Sequence, residues 1–192
     1  MLSFLPESLG KVFYYHTSLY GHILKNYWNP DIYKWWNNIM PNLWLGAIPL
    51  YDHDPREEID IKTVISLIEE FEYDQSISSN PIPKLDWLER GINYHNMPTP
   101  DGHCPSISDL NNCVKIIHSE LKKNNAIYVH CKAGKGRSAC VIVAYLMTYH
   151  NYHLDDAINF VKHNRWQVDL NDIQTSILKQ YQESYINQLS FL

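Results

Sequence analysis

The sequence predicts an α/β fold, a sheet flanked by helices, and three observations carry that prediction. Segments of strand length lie at residues 43–47, 63–68, 92–95 and 126–130, with β-branched residues concentrated at 63–68 and 126–130. Longer segments with apolar residues at helical spacing separate or follow them, over 106–123, 137–149, 154–164 and 172–188. Strands that alternate with helical segments make layered domains, because each amphipathic element buries its apolar side against the other kind. The run at 126–130 also passes through a glycine-containing turn straight into 137–149, which is apolar on nearly all faces and hence central.

Residues 1–41 read as a helical extension. Phe4, Leu5, Leu9, Val12, Phe13, His16, Leu19, Tyr20, Ile23, Leu24 and Tyr27 recur at helical spacing, and Asn29-Pro30 ends the run. Such a stripe suits docking on the rest of the chain or lying on a membrane surface. The few lysines and absence of arginines beside it favour docking. Trp28, Trp35, Trp36 and Trp44 cluster after it, either to anchor the extension or to line an entrance.

Residues 42–192 form the main domain, opened by the strand at 43–47 and a short helix over 55–59. The strand at 63–68 ends in Glu69, Glu70 and Glu72. These read either as a rim orienting a neighbouring loop through a salt bridge to a cation such as Lys132, or as a solvated charge cluster. Residues 73–83, rich in serine, asparagine and proline, read as a loop before a helix over 84–90 and the strand at 92–95. Ser106-x-x-Asp109 marks a helix start over 106–123, and Asn171-x-x-Gln174 gives the last helix a capping box.

The chemistry concentrates between the strand at 126–130 and the helix at 137–149, in His130-Cys131-Lys132-Ala133-Gly134-Lys135-Gly136-Arg137-Ser138. Gly134 and Gly136 permit the positive φ angles of a sharp turn. Successive N–H groups from Lys132 to Arg137 can then face inward as a nest, with a helix N-terminus behind them, which favours a phosphate. Lys132, Ala133, Gly134, Lys135, Gly136 and Arg137 are the candidate substrate-binding residues, Arg137 with a two-pronged grip on phosphoryl oxygens. Cys131, at the base, is the candidate nucleophile, because a positive field lowers a thiol pKa from its ordinary value of about 8.5. Ser138 can hydrogen-bond the sulfur as it leaves, and His130 orients the loop from beneath.

These residues resemble a known signature. His-Cys-x5-Arg-Ser is that of the cysteine-dependent protein tyrosine phosphatase superfamily, and the loop here is similar to that of the phosphatase-and-tensin-homologue lipid phosphatases. Residues 42–49 resemble the opening strand of the compact dual-specificity members. Glu69-Glu70-Phe71-Glu72 resembles the acidic segment of a mitochondrial branch acting on phosphatidylglycerophosphate, whereas Lys135-Gly136 departs from that branch, which has an arginine-serine pair there. The resemblance implies a central mixed sheet flanked by helices in the compact dual-specificity fold, and hydrolysis of phosphate monoesters through a phosphocysteine on Cys131. It also implies Asp101, in Pro100-Asp101-Gly102, as the general acid; otherwise Pro-Asp-Gly is an ordinary turn. Asp109 is the weaker rival, being better placed as part of a helix cap.

Lys132 and Lys135 add charge within the loop itself, which suits a phospholipid such as phosphatidylglycerophosphate or a phosphoinositide. The alternative is a phosphoprotein substrate, which the same Cys131, Arg137 and Asp101 would serve. A net charge of −5 argues against nucleic-acid binding, so anion attraction is local. The partners expected are a phosphorylated lipid or phosphoprotein, with peripheral membrane contact. Cys104, Cys113, Cys131 and Cys140 show no metal-ligand spacing, so neither metal nor cofactor is expected. A readily oxidised thiolate suits the cytoplasm or another reducing compartment, with Cys104 a candidate disulfide partner for Cys131 under oxidation. No segment approaches the ~20 apolar residues of a membrane span.

Overall fold

The computed structural model describes residues 33–73 and 80–189. The amphipathic stretch read over residues 4–27, its Asn29-Pro30 stop and Trp28 lie outside the described residues, as does most of the serine-rich loop at 73–83.

Five strands form one mixed sheet: β1 (Trp36–Met40), β2 (Leu43–Gly46), β3 (Ile61–Ser66), β4 (Asn93–Asn96) and β5 (Ala126–His130). Their spatial order is β1-β2-β5-β3-β4, with β1 antiparallel to β2 and all other neighbours parallel. The central strand β5 is fully buried, as its unbroken apolar run anticipates. Its side chains alternate between two cores: Ile127 and Val129 face the larger, Ala126 and Tyr128 the smaller.

Helices α2 (Ile107–Lys122), α3 (Arg137–His150), α4 (Leu154–Asn164) and α5 (Asp172–Leu189) build the larger core, and α1 (Lys84–Glu89) covers the smaller one with Trp87. Every residue of α3 from Arg137 to Met147 is buried, and the helix packs against α2, α4, α5, β2 and β5. This explains why its sequence has no polar face. At α2, Ser106 caps as read: its Oγ accepts from the Asp109 N–H at 3.1 Å and donates to the Asp109 carboxylate at 2.7 Å. Asp109 is thereby committed to the helix end.

Two expectations are corrected. Strand β1 places residues 36–40, which read in the sequence as part of a helical extension, in the sheet instead. Its Trp-Asn-Asn-Ile-Met sequence buries only Ile39, so an edge strand left no alternating pattern to read. The helix expected over 55–59 is a single 3-10 turn, Pro55–Glu57. Among the described residues, no helix is long and apolar enough to cross a membrane.

The four parallel strands all end on the same side. The segments that follow β2, β3, β4 and β5 therefore converge there, at the carboxyl edge of the sheet where α/β folds hold ligands.

Candidate active site

The segment after β5 turns tightly over residues 131–136 and enters α3 at Arg137. Its carbonyls point outward, each to a named donor. Lys132 O accepts from Ile48 N at 3.1 Å and Lys135 O from Asp169 N at 3.2 Å. Ala133 O and Gly134 O accept from the Arg165 guanidinium at 3.2 and 2.8 Å. In a trans peptide the N–H of the next residue points opposite to the carbonyl, so the amides of Ala133, Gly134, Lys135 and Gly136 face the concave side. An anion cradle results, with the α3 N-terminus behind it.

The two glycines serve different ends. Gly134 has φ +67°, and a Cβ there would lie 2.4 Å from the Gly46 backbone, so both conformation and space require glycine. Gly136 has φ −115°, which corrects the expectation of a positive angle. A Cβ there would lie 2.6 Å from Gln174 Nε2, so a side chain at this position would have to displace the Gln174 amide.

Cys131 is 3% exposed at the base of the cradle. Burial opposes its ionisation, but the Arg137 guanidinium, the Ser138 hydroxyl at 3.2 Å and the Ser138 backbone N–H outweigh burial, and the thiol pKa is lowered. His130 is buried, and its pKa is pushed down to about 3 by burial, so it stays neutral beneath the loop. Its Nδ1 lies 3.4 Å from the Cys131 carbonyl.

Arg137 is 1% exposed and heavily held. Its Nη1 and Nη2 donate to the Glu72 carboxylate at 2.6 and 2.9 Å, and Nη1 also to Thr99 O at 3.0 Å. Asp101 Oδ1 lies 3.0 Å from Nη2. Nε makes no protein hydrogen bond although buried, which leaves one donor for an incoming oxygen. Although burial opposes it, the Glu72 bond and the nearby Cys131 charge raise the Arg137 pKa, and it stays cationic.

The structure thus gathers Cys131, Arg137, Ser138, Asp101 and Lys132 in one place, with Ala133, Gly134 and Gly136 supplying backbone. Lys132 is half-buried, and burial pushes its pKa down to about 8 against the pull of Asp101 and Glu72. Lys135 does not share that position: its side chain is exposed. The acidic segment is a rim holding a loop cation, but the cation is Arg137 and the carboxylate is Glu72, on a 3-10 turn at Glu70–Tyr73. The neighbouring Cys104 thiol and burial push the Cys140 pKa well above its ordinary value.

Two contributors escaped the sequence. Arg165, 1% exposed, braces the cradle from behind and ties it to Lys34 O at 3.1 Å and Asn37 Oδ1 at 2.6 Å in the β1 region. Gln174, 2% exposed, fills the space under Gly136 and donates to His103 O at 3.1 Å. The Asn171-x-x-Gln174 motif located Gln174 on a helix end, but nothing local announced its contacts.

Chemically, the arrangement offers a lowered thiol beneath inward amides and a guanidinium, with a carboxyl group at the mouth. The family described as dual specificity phosphatase, catalytic domain, matches residues 43–184. The chain is 28% identical over 182 residues to the mouse (Mus musculus) phosphatidylglycerophosphatase and protein-tyrosine phosphatase 1, covering 93% of this chain and 92% of that one. It is also 28% identical over 187 residues to the phosphatidylglycerophosphate phosphatase PTPMT2 of Arabidopsis thaliana, covering 95% and 78%. A crystal structure of PTPMT1 in complex with PI(5)P superposes with a TM-score of 0.72 at 26% identity, covering 81% of this chain and 99% of that one. The chain belongs to the dual specificity phosphatase catalytic domain family and is a cysteine-dependent phosphatase of the protein tyrosine phosphatase superfamily.

Proposed function

We propose that this protein hydrolyses the phosphate monoester of a phospholipid, phosphatidylglycerophosphate first among them and phosphoinositides next. The observation that carries the reading is Lys132, a second cation half-buried beside Cys131 and Arg137. One guanidinium and a ring of amides already serve a lone phosphate. A further half-buried cation suits a headgroup with a second anionic group close to the first. The relatives named for phosphatidylglycerophosphate and the neighbour bound to PI(5)P support the same direction.

In this reading the Cys131 thiolate attacks phosphorus in line while the amides and Arg137 hold the equatorial oxygens. The S–P bond forms as the ester P–O bond breaks, and Asp101 gives its proton to the departing alkoxide. Water then attacks the phosphocysteine, passes a proton to Asp101, and releases inorganic phosphate. Ser138 receives the returning thiolate with its hydroxyl. The lipid tails stay in a bilayer, so the mouth meets a membrane peripherally, and a thiolate enzyme of this kind suits a reducing compartment such as the cytoplasm.

A panel of phosphatidylglycerophosphate, phosphoinositides and phosphopeptides, compared by kcat/KM, tests the proposal. The expected result is a lipid preference that Lys132→Met erodes by about tenfold, or 1.4 kcal/mol, while turnover of a simple aryl phosphate changes little. Lys132 loses its charge as pH rises through about 8, so the lipid preference should also decline above that pH. Phosphopeptides outpacing every lipid would favour the phosphoprotein reading instead, and loss of all turnover in Cys131→Ser is common to both.

A further inference from the structure

The turn that carries Asp101 is held from outside the phosphate cradle. It spans Pro100–His103, closed by His103 N donating to Pro100 O at 3.0 Å, with Gly102 at φ +78°. The Asp101 side chain is 62% exposed, so packing does little to fix it. Its carboxylate meets Arg137 Nη2 at 3.0 Å, and its turn is held in addition through two carbonyls. Asn171 Nδ2 donates to Gly102 O at 2.8 Å, and Gln174 Nε2 donates to His103 O at 3.1 Å.

Both donors belong to the capping box at the start of α5. Gln174 N donates to Asn171 Oδ1 at 2.9 Å, and Asn171 N donates to Gln174 Oε1 at 3.2 Å. Each side-chain amide therefore divides its work: the oxygen caps the helix, and the NH2 grips the turn. The same Gln174 lies against Gly136, so the helix start touches the acid turn and the phosphate cradle together.

We propose that Asn171 is a positioning residue for proton transfer, acting on Asp101 through the Gly102 carbonyl. The inference rests on Asp101 being the proton donor. A carboxyl group on an exposed turn must be held to a fraction of an ångström to meet a leaving oxygen, and an unheld turn loses that alignment without losing the nucleophile.

Capping and gripping can be separated chemically. Aspartate and serine cap helices about as well as asparagine, because each offers a side-chain oxygen to the helix N–H groups. Neither offers an amide NH2 to Gly102 O. Asn171→Asp and Asn171→Ser should thus keep the thermal midpoint of the parent while releasing the turn, and the serine variant adds no charge near the phosphate.

The readout is kcat/KM across aryl phosphates of graded leaving-group pKa, ending with an alkyl phosphate. Asp101→Asn should slow the poorest leaving groups by roughly 10²–10⁴ and the best hardly at all. Both Asn171 variants should tilt the same plot in the same direction, by about tenfold at the poor end. Combined with Asp101→Asn, they should add almost nothing, since a residue acting through Asp101 has no effect once its carboxyl group is gone. Equal slowing of good and poor leaving groups, no slowing, or full additivity in the double variant, beside a steep Asp101→Asn plot, overturns the role of Asn171 alone. A flat Asp101→Asn plot overturns the assignment of Asp101 and the inference with it.

Discussion

At Cys131 two opposed effects meet on one sulfur. Burial favours the neutral thiol, while the Arg137 guanidinium and two hydrogen bonds from Ser138 favour the thiolate, and the second group wins. A hydrogen bond to the charged form lowers a pKa, so removing the Ser138 hydroxyl must raise it. In Ser138→Ala the pH at which iodoacetamide begins to alkylate Cys131 should move up, with the rate near pH 6 falling by roughly threefold or more. An unchanged alkylation profile would assign the lowering to Arg137 and the Ser138 backbone N–H, without the hydroxyl. Single residues were legible here in proportion to how local their partners are. Cys131, Ser138 and Arg137 lie within one turn of each other, and their order in the chain announced them. Arg165 grips carbonyls more than thirty positions away, and no neighbour in sequence distinguishes it from any arginine closing a helix.

Among elements, the 3-10 turn at Glu70–Tyr73 does the most with the fewest residues. It presents Glu72, only 1% exposed, to Arg137 as a two-pronged buried ion pair. Removing one partner of such a pair leaves the other charge buried and uncompensated. Glu72→Ala should therefore cost roughly 3–5 kcal/mol of stability in denaturant unfolding. It should also lower kcat/KM by about 10², because Arg137 loses the clamp that sets its plane. A variant as stable as the parent would show that the Thr99 and Leu67 carbonyls suffice to hold the guanidinium. In the sequence the acidic run fits a rim or a solvated cluster equally, and nothing there chooses Arg137 over Lys132, since both cations lie in the same short loop. Helices α2 to α5 were readable because each has an apolar face or a cap. Strand β1 lacked both signals, with two asparagines in five residues and one buried side chain.

For the whole molecule, strand direction is what assembles the chemistry. Four parallel strands end on one side, so segments distant in sequence reach Arg137 together: Glu72 and Leu67 after β3, Thr99 and Asp101 after β4. The family match begins at residue 43, but Arg165 anchors to Lys34 and Asn37, ahead of that boundary. A chain shortened to start at residue 43 would keep every group that faces the phosphate and forfeit half of this arginine's acceptors. A buried guanidinium so stranded would seek new oxygens, and the carbonyls it now pulls outward would be the first to swing. Minimal versions of this enzyme should begin before β1.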